Sequence, residues 1–237
     1  MIRLEGVRVA AGERTVLHEL DLELAERRIA VVGANGSGKS TFVRLLNGLV
    51  LPSAGAVSVD GVHVERHLDR VRRQVGFVFT DPDAQLVMPT PAEDVELSLR
   101  RAGVPARQRR ARALQLLAEH GLQDHADVSV RTLSSGQRQL LALTAVLATG
   151  PAVLVCDEPT TLLDLRHGAR VAALLLAQPA QLVVATHHLE LAAAAERALW
   201  IDAGRVVADG PAAAVVAAYR AHALAGTGGA GPGGPGP

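Results

Sequence analysis

Lysine is almost absent. Lys39 stands alone among 24 basic residues, and every other one is arginine. Aromatic residues make up 2% of the chain, which excludes a stacking platform for single-stranded nucleic acid. A single cysteine, Cys156, excludes an internal disulfide. No apolar run approaches the roughly 18–20 residues that span a bilayer. The opening Met1-Ile2-Arg3-Leu4-Glu5-Gly6 lacks the apolar segment of a secretion signal. Net charge is absent too: 24 acidic residues balance 24 basic ones, which argues against a general polyanion binder. What is plentiful is hydrophobic sequence, 49% of the chain, enough for a large core and one or two domains. These features predict a cytosolic protein that reaches a membrane only through partners.

The one lysine sits in Gly33-Ala34-Asn35-Gly36-Ser37-Gly38-Lys39-Ser40-Thr41. This stretch fits the phosphate-binding pattern G-x-x-x-x-G-K-[ST]. It follows the apolar run 28–32 and precedes helically spaced apolar residues over 42–49, the strand–loop–helix context that the pattern requires. Glycines 33, 36 and 38 let backbone N–H groups face phosphate oxygens, and the following helix N-terminus favours the anion. Lys39 is then placed for the β- and γ-phosphates and the Ser40 hydroxyl for Mg²⁺.

Residues 1–32 read as strands at 3–5, 7–9 and 20–24, followed by further strands at 56–59 and 74–79. Helical spacing dominates 90–147, with segments near 92–102, 106–119 and 137–148. Strands at 152–156 and 181–185 then alternate with helices at 167–177 and 189–196. This is the pattern of an α/β fold with a mostly parallel sheet, an N-terminal antiparallel β part and an inserted helical subdomain at about 82–150, within one domain over 1–224. The Gly/Pro-rich stretch 225–237 reads as disordered. The arginines at 100, 101, 107, 109, 110 and 112 read as a solvated helix face, with a membrane or partner contact as the alternative.

The apolar strand 152–156 ends in Asp157-Glu158. In a phosphate-loop nucleotidase the first carboxylate holds Mg²⁺ through water and the second takes a proton from the attacking water. Leu133-Ser134-Ser135-Gly136-Gln137 precedes a helix and, alone, reads as an N-cap cluster. Together these segments resemble the ABC-type ATPases, whose signature is Leu-Ser-Gly-Gly-Gln; here Ser135 replaces the first glycine. The resemblance covers residues 1 to about 220 and implies a P-loop NTPase fold that hydrolyses ATP with Mg²⁺. It further implies that Ser134, Ser135, Gly136 and Gln137 meet the nucleotide of a second subunit, so that two sites form between two chains. His187, after Thr186, is similar to the family's γ-phosphate-sensing histidine. Thr160-Thr161-Leu162-Leu163-Asp164 resembles its D-loop, with Asp164 crossing to the partner.

Two further positions depart from the family. Thr80 stands where a Mg²⁺-touching glutamine is usual, with Gln85 as a substitute contact. Val9 stands near the usual adenine-stacking aromatic, so weak discrimination between ATP and GTP is expected. Asp81-Pro82-Asp83-Ala84-Gln85 and Met88-Pro89-Thr90 resemble the energy-coupling-factor branch, and within it the stretches Phe79–Asp83, Arg44–Pro52 and Thr160–Arg166 resemble the ATPases of biotin transporters. That resemblance implies import of a vitamin, a second ATPase subunit, a membrane scaffold, a substrate-binding membrane subunit, and a place on the cytoplasmic face of the membrane. Gln85 and the helix starting near Pro91 are the expected coupling surface. The alternatives are the ATPase of a cobalt, nickel or other ABC transporter, and a soluble ABC protein acting on nucleic acid or ribosomes. The last usually carries two cassettes or basic insertions, which this chain lacks.

Overall fold

The computed structural model describes residues 1–226. β1 (Ile2–Ala11) and β2 (Arg14–Leu24) form an antiparallel hairpin. Ile2 and Leu4 face inward on even positions, while Val7 and Val9 face inward on odd ones. A register shift between Leu4 and Val7 absorbs the change of phase. Gly6 sits in that shift at φ 56°, a backbone region glycine enters without a Cβ penalty. The expected strands 3–5 and 7–9 are therefore one bulged strand.

β3 (Arg28–Val32) leads through the glycine loop into α1 (Lys39–Leu45). β4 (Ala54–Val59) and β5 (Val62–His63) complete a four-stranded antiparallel sheet in the order β2-β1-β4-β5. α2 (Leu68–Gln74) and β6 (Val75–Val78) follow. The chain then passes through α3 (Pro91–Arg101), α4 (Ala106–Glu119) and α5 (Ser135–Leu147) before β7 (Val153–Asp157) returns to pair in parallel with β6. α6 (Leu165–Ala177), β8 (Gln181–Ala185), α7 (Leu189–Ala193), β9 (Arg197–Asp202), β10 (Arg205–Pro211) and α8 (Ala212–Gly226) close it. The second sheet has the order β10-β9-β3-β8-β7-β6, parallel except for β10 at its edge. α8 runs two residues into the stretch expected to be disordered; residues 227–237 lie outside the described residues.

β3 and β7 are buried at every residue, as befits parallel strands covered on both faces. Their side chains still alternate. Ile29, Val31, Val153 and Val155 pack towards α1 and the antiparallel sheet. Ala30, Val32, Leu154 and Cys156 pack towards the helices that follow β6. α1 has seven residues, too few to persist alone. Phe42, Val43 and Leu45, with Leu46 just beyond, have no exposed surface. Each such burial stabilises by roughly 1.5–3 kcal/mol, so α1 is held by packing and not by propensity. The C-terminal end of α6 is tied to the sheet by Arg28, whose buried guanidinium donates to the carbonyls of Leu176, Gln178 and Ala180.

Candidate functional site

The ends of β3, β6, β7 and β8 converge on one edge of the parallel sheet, and the loop before α1 lies there. Gly33 has φ 150°, and a Cβ on it would stand 2.1 Å from the Ile201 carbonyl oxygen. At Gly38, φ 112°, a Cβ would meet the Leu17 side chain at 2.9 Å. Any larger residue would displace the loop. Lys39 is buried, and its Nζ donates to the carbonyls of Gly33 at 2.8 Å and Ala34 at 3.0 Å. The ammonium is thereby held inside the loop. The Ser37 hydroxyl is buried in the same loop without a partner, a donor suited to a phosphate oxygen.

β7 brings its terminal carboxylates to this loop. Asp157 accepts from Ser40 Oγ at 2.7 Å and from Arg44 Nη2 at 2.9 Å. Its backbone carbonyl accepts from the Thr80 hydroxyl at 2.8 Å. Glu158 adopts φ 52°, a left-handed backbone uncommon outside glycine. That turn aims its carboxylate across the site. Oε2 accepts from His187 Nδ1 at 2.7 Å and from Thr161 Oγ1 at 3.1 Å, and Oε1 lies 3.8 Å from Lys39 Nζ. Glu158, His187 and Lys39, distant in sequence, thus form one cluster. The Ser40 and Asp157 oxygens are donors suited to a hard divalent cation. Among the described residues no group of three or more His, Cys, Asp or Glu side chains forms a metal cage. One hydroxyl and one carboxylate fit the chemistry of Mg²⁺, a cation that proteins bind through one or two side-chain oxygens together with substrate phosphates. Beside them, burial pushes the Cys156 thiol far above its usual range, leaving it inert.

Ser134 caps α5. Its hydroxyl accepts from the Gln137 N–H at 3.2 Å, and the Gln137 carboxamide accepts from the Ser134 N–H at 2.8 Å, a reciprocal capping box. Gln137 Nε2 reaches His125 Nε2 at 2.9 Å. A Cβ on Gly136 would meet the His167 ring at 2.5 Å, so the helix start lies against α6. Asp164 caps α6 through the His167 N–H and holds the His167 ring at 2.9 Å. The backbone bond from His167 draws the Asp164 carboxyl below its usual range. None of these hydrogen bonds joins Ser134–Gln137 to the phosphate loop. Two separate constellations therefore sit on one chain.

The family described as ABC transporter matches residues 17–161. The chain belongs to the ABC transporter family. The biotin transport ATP-binding protein BioM of Rhizobium etli is 42% identical over 92% of this chain and 97% of its own. The energy-coupling factor transporter ATP-binding protein EcfA1 of Symbiobacterium thermophilum is 40% identical over 83% and 71%. The nickel import ATP-binding protein NikO of Rhodobacter capsulatus is 38% identical over 90% of each. Among solved structures, a dimeric ATP-binding cassette in a post-hydrolysis state with ADP and Pi superposes with a TM-score of 0.78 at 29% identity, covering 90% of this chain and 99% of that one. The cbiO1 subunit of Clostridium perfringens, part of the cbiONQ complex, gives 0.81 at 26% identity over 94% and 93%. The chain is an ABC ATPase, the ATP-binding subunit of an ABC importer.

Two expectations about this ABC ATPase change. Val9 is in the core with 6% exposure and could not stack on a base whatever its type. The exposed hairpin residues Ala11, Gly12, Glu13 and Arg14 include no aromatic, so the stacking ring is missing for a different positional reason. Gln85 does not face the metal-site oxygens. It bonds the Phe79 N–H at 3.3 Å and the Ala142 carbonyl at 3.4 Å, bracing the loop after β6 against α5. Arg44 and His125, the contact of Gln137, were not legible as site residues. Arginine on a helix and histidine in a loop carry no pattern until the fold places them.

Proposed function

We propose that this ABC ATPase energises vitamin import through an energy-coupling-factor transporter, with biotin as the vitamin. The observation that carries this reading is the 42% identity to a biotin transport ATP-binding protein along nearly the full length of both chains. The Asp-Pro-Asp-x-Gln stretch at 81–85 supports the branch. Nickel import is the second reading, favoured by the relative at 38% identity. No helix among the described residues is long and apolar enough to cross a membrane. Attachment to the cytoplasmic face then comes from a membrane scaffold and a substrate-binding membrane subunit.

The separation of the two constellations on one chain supports head-to-tail pairing of two ATPase subunits, where residues 33–41 of one chain and 134–137 of the other enclose one ATP. Asp164 stands exposed beside the signature segment, in place to face the partner. Lys39 and the loop N–H groups bind the phosphates. Glu158 takes the proton of the attacking water, oriented by His187 and Thr161. Ser40 and Asp157 would hold Mg²⁺, which when bound would supply positive charge against the developing phosphate charge. The loop 79–90 and α3 pass the closure to the membrane subunits, with Gln85 as the internal brace.

The deciding experiment is affinity purification of tagged protein from gently solubilised native membranes. A small multi-span scaffold with a compact biotin-binding membrane protein is the expected result. Two large permease subunits would move the chain to another transporter class, and nickel retained in place of biotin would select the second reading.

A further inference from the structure

The Asp157 side chain is 1% exposed, yet both of its oxygens are engaged from one helix face. Ser40 and Arg44 stand four residues apart on α1, so they lie one turn above each other. The first donates to Oδ1 at 2.7 Å and the second to Oδ2 at 2.9 Å. Arg44 spans from solvent, at 43% side-chain exposure, into this contact, and its Nε is buried without a partner. Its guanidinium is directed by the carboxylate and not by its own hydrogen-bonding needs. Lys39 is occupied by loop carbonyls and faces Glu158. Among the described residues, Arg44 is the one cation within ion-pair distance of Asp157.

We propose that Arg44 is a resident counter-ion of the metal-site carboxylate and makes metal binding depend on nucleotide. The inference rests on Asp157 being the carboxylate that holds Mg²⁺. A buried carboxylate without a cation is unfavourable, and Arg44 relieves that when no nucleotide is bound. A divalent cation arriving alone would share one carboxylate with a fixed positive charge and meet its repulsion at short range. Only when phosphates add negative charge and oxygen ligands does the metal gain enough to sit beside Arg44. The arginine then blocks metal occupancy of an empty site, and the helix that carries it also carries the hydroxyl ligand.

The test is thermal unfolding of the full chain, without nucleotide, in EDTA and in millimolar Mg²⁺. Arg44→Gln keeps a donor and removes the charge, Arg44→Lys keeps the charge, and Arg44→Met guards against a folding defect peculiar to glutamine. In EDTA, Gln and Met variants melt lower than wild type. Mg²⁺ alone then raises their midpoints by about 2–4 °C, while wild type and Arg44→Lys stay unshifted. Adding Asp157→Asn to Arg44→Gln abolishes the response. Equal shifts in wild type and Arg44→Gln, a lysine variant that behaves like glutamine, or a response that survives Asp157→Asn would each overturn the proposal. MgATP binding to wild type, measured in parallel, reports separately on the nucleotide site.

Discussion

Glu158 is where backbone strain and chemistry coincide. Its left-handed conformation costs on the order of 1–3 kcal/mol, and it turns the carboxylate away from the strand towards His187 and Lys39. Replacing it with glutamine keeps the shape and removes the base. Turnover of Glu158→Gln should fall by roughly 10²–10⁴-fold, while ATP still binds and an ATP-held dimer accumulates in size-exclusion chromatography. Wild-type hydrolysis in that variant would remove the base assignment. Lys39→Ala separates binding from chemistry. Charge-assisted bonds contribute about 1.5–3 kcal/mol, so nucleotide affinity should weaken roughly 10–100-fold, as read by fluorescent-nucleotide titration. Unchanged affinity would show that the ammonium does not meet phosphate. Both residues were legible in sequence because spacing and strand context define them. Arg44 was not, since its meaning depends on β7 lying beside α1.

At the scale of elements, α5 is the informative case. Its start carries a capping box, and the Ser135 that departs from the usual signature lies inside the first turn. Ser134→Ala removes the acceptor for the Gln137 N–H. The expected cost is about 1 kcal/mol, a fall in melting midpoint of roughly 2–4 °C for a domain of this size. ATP-dependent dimerisation should weaken as well, because the helix start frays where the partner's nucleotide is to bind. A variant that melts like wild type would show that the cap is redundant. The helix expected over 42–49 instead spans Lys39–Leu45, since the glycine loop enters the helix directly at the lysine. α2, β9, β10 and α8 escaped the sequence pattern. α8 is an Ala/Val-rich run without a polar stripe, and β10 is an edge strand with no buried residue, so neither carries strong hydrophobic periodicity.

For the whole molecule, the two sheets divide the labour. The antiparallel sheet covers one face of the parallel one through α1, while α3 to α8 cover the other, and the phosphate loop emerges at the edge between them. The hairpin of β1 and β2 carries no Phe, Tyr or Trp to stack on a purine. A missing stack forgoes about 1–3 kcal/mol of base contact, so ATP and GTP should be hydrolysed with comparable kcat/KM. A large preference for ATP in a steady-state phosphate-release assay would mean that another group reads the base.

The phosphate loop, the paired carboxylates and the signature segment are local strings whose chemistry depends on residue type and spacing, so the chain alone determined the nucleotide class and the α/β architecture. The strand read at 20–24 also buries Leu20 and Leu24 and half-buries Leu22, because burial on a sheet repeats every second residue. The tertiary structure decided the long-range pairings: Arg44 with Asp157, Thr80 with the Asp157 carbonyl, Gln85 with α5, and His187 with Glu158. It also turned Val9 inward by a bulge that no alternation rule locates. Such contacts join residues far apart in sequence, and their existence depends on which strands become neighbours, a property of the folded sheet and not of any local stretch of chain.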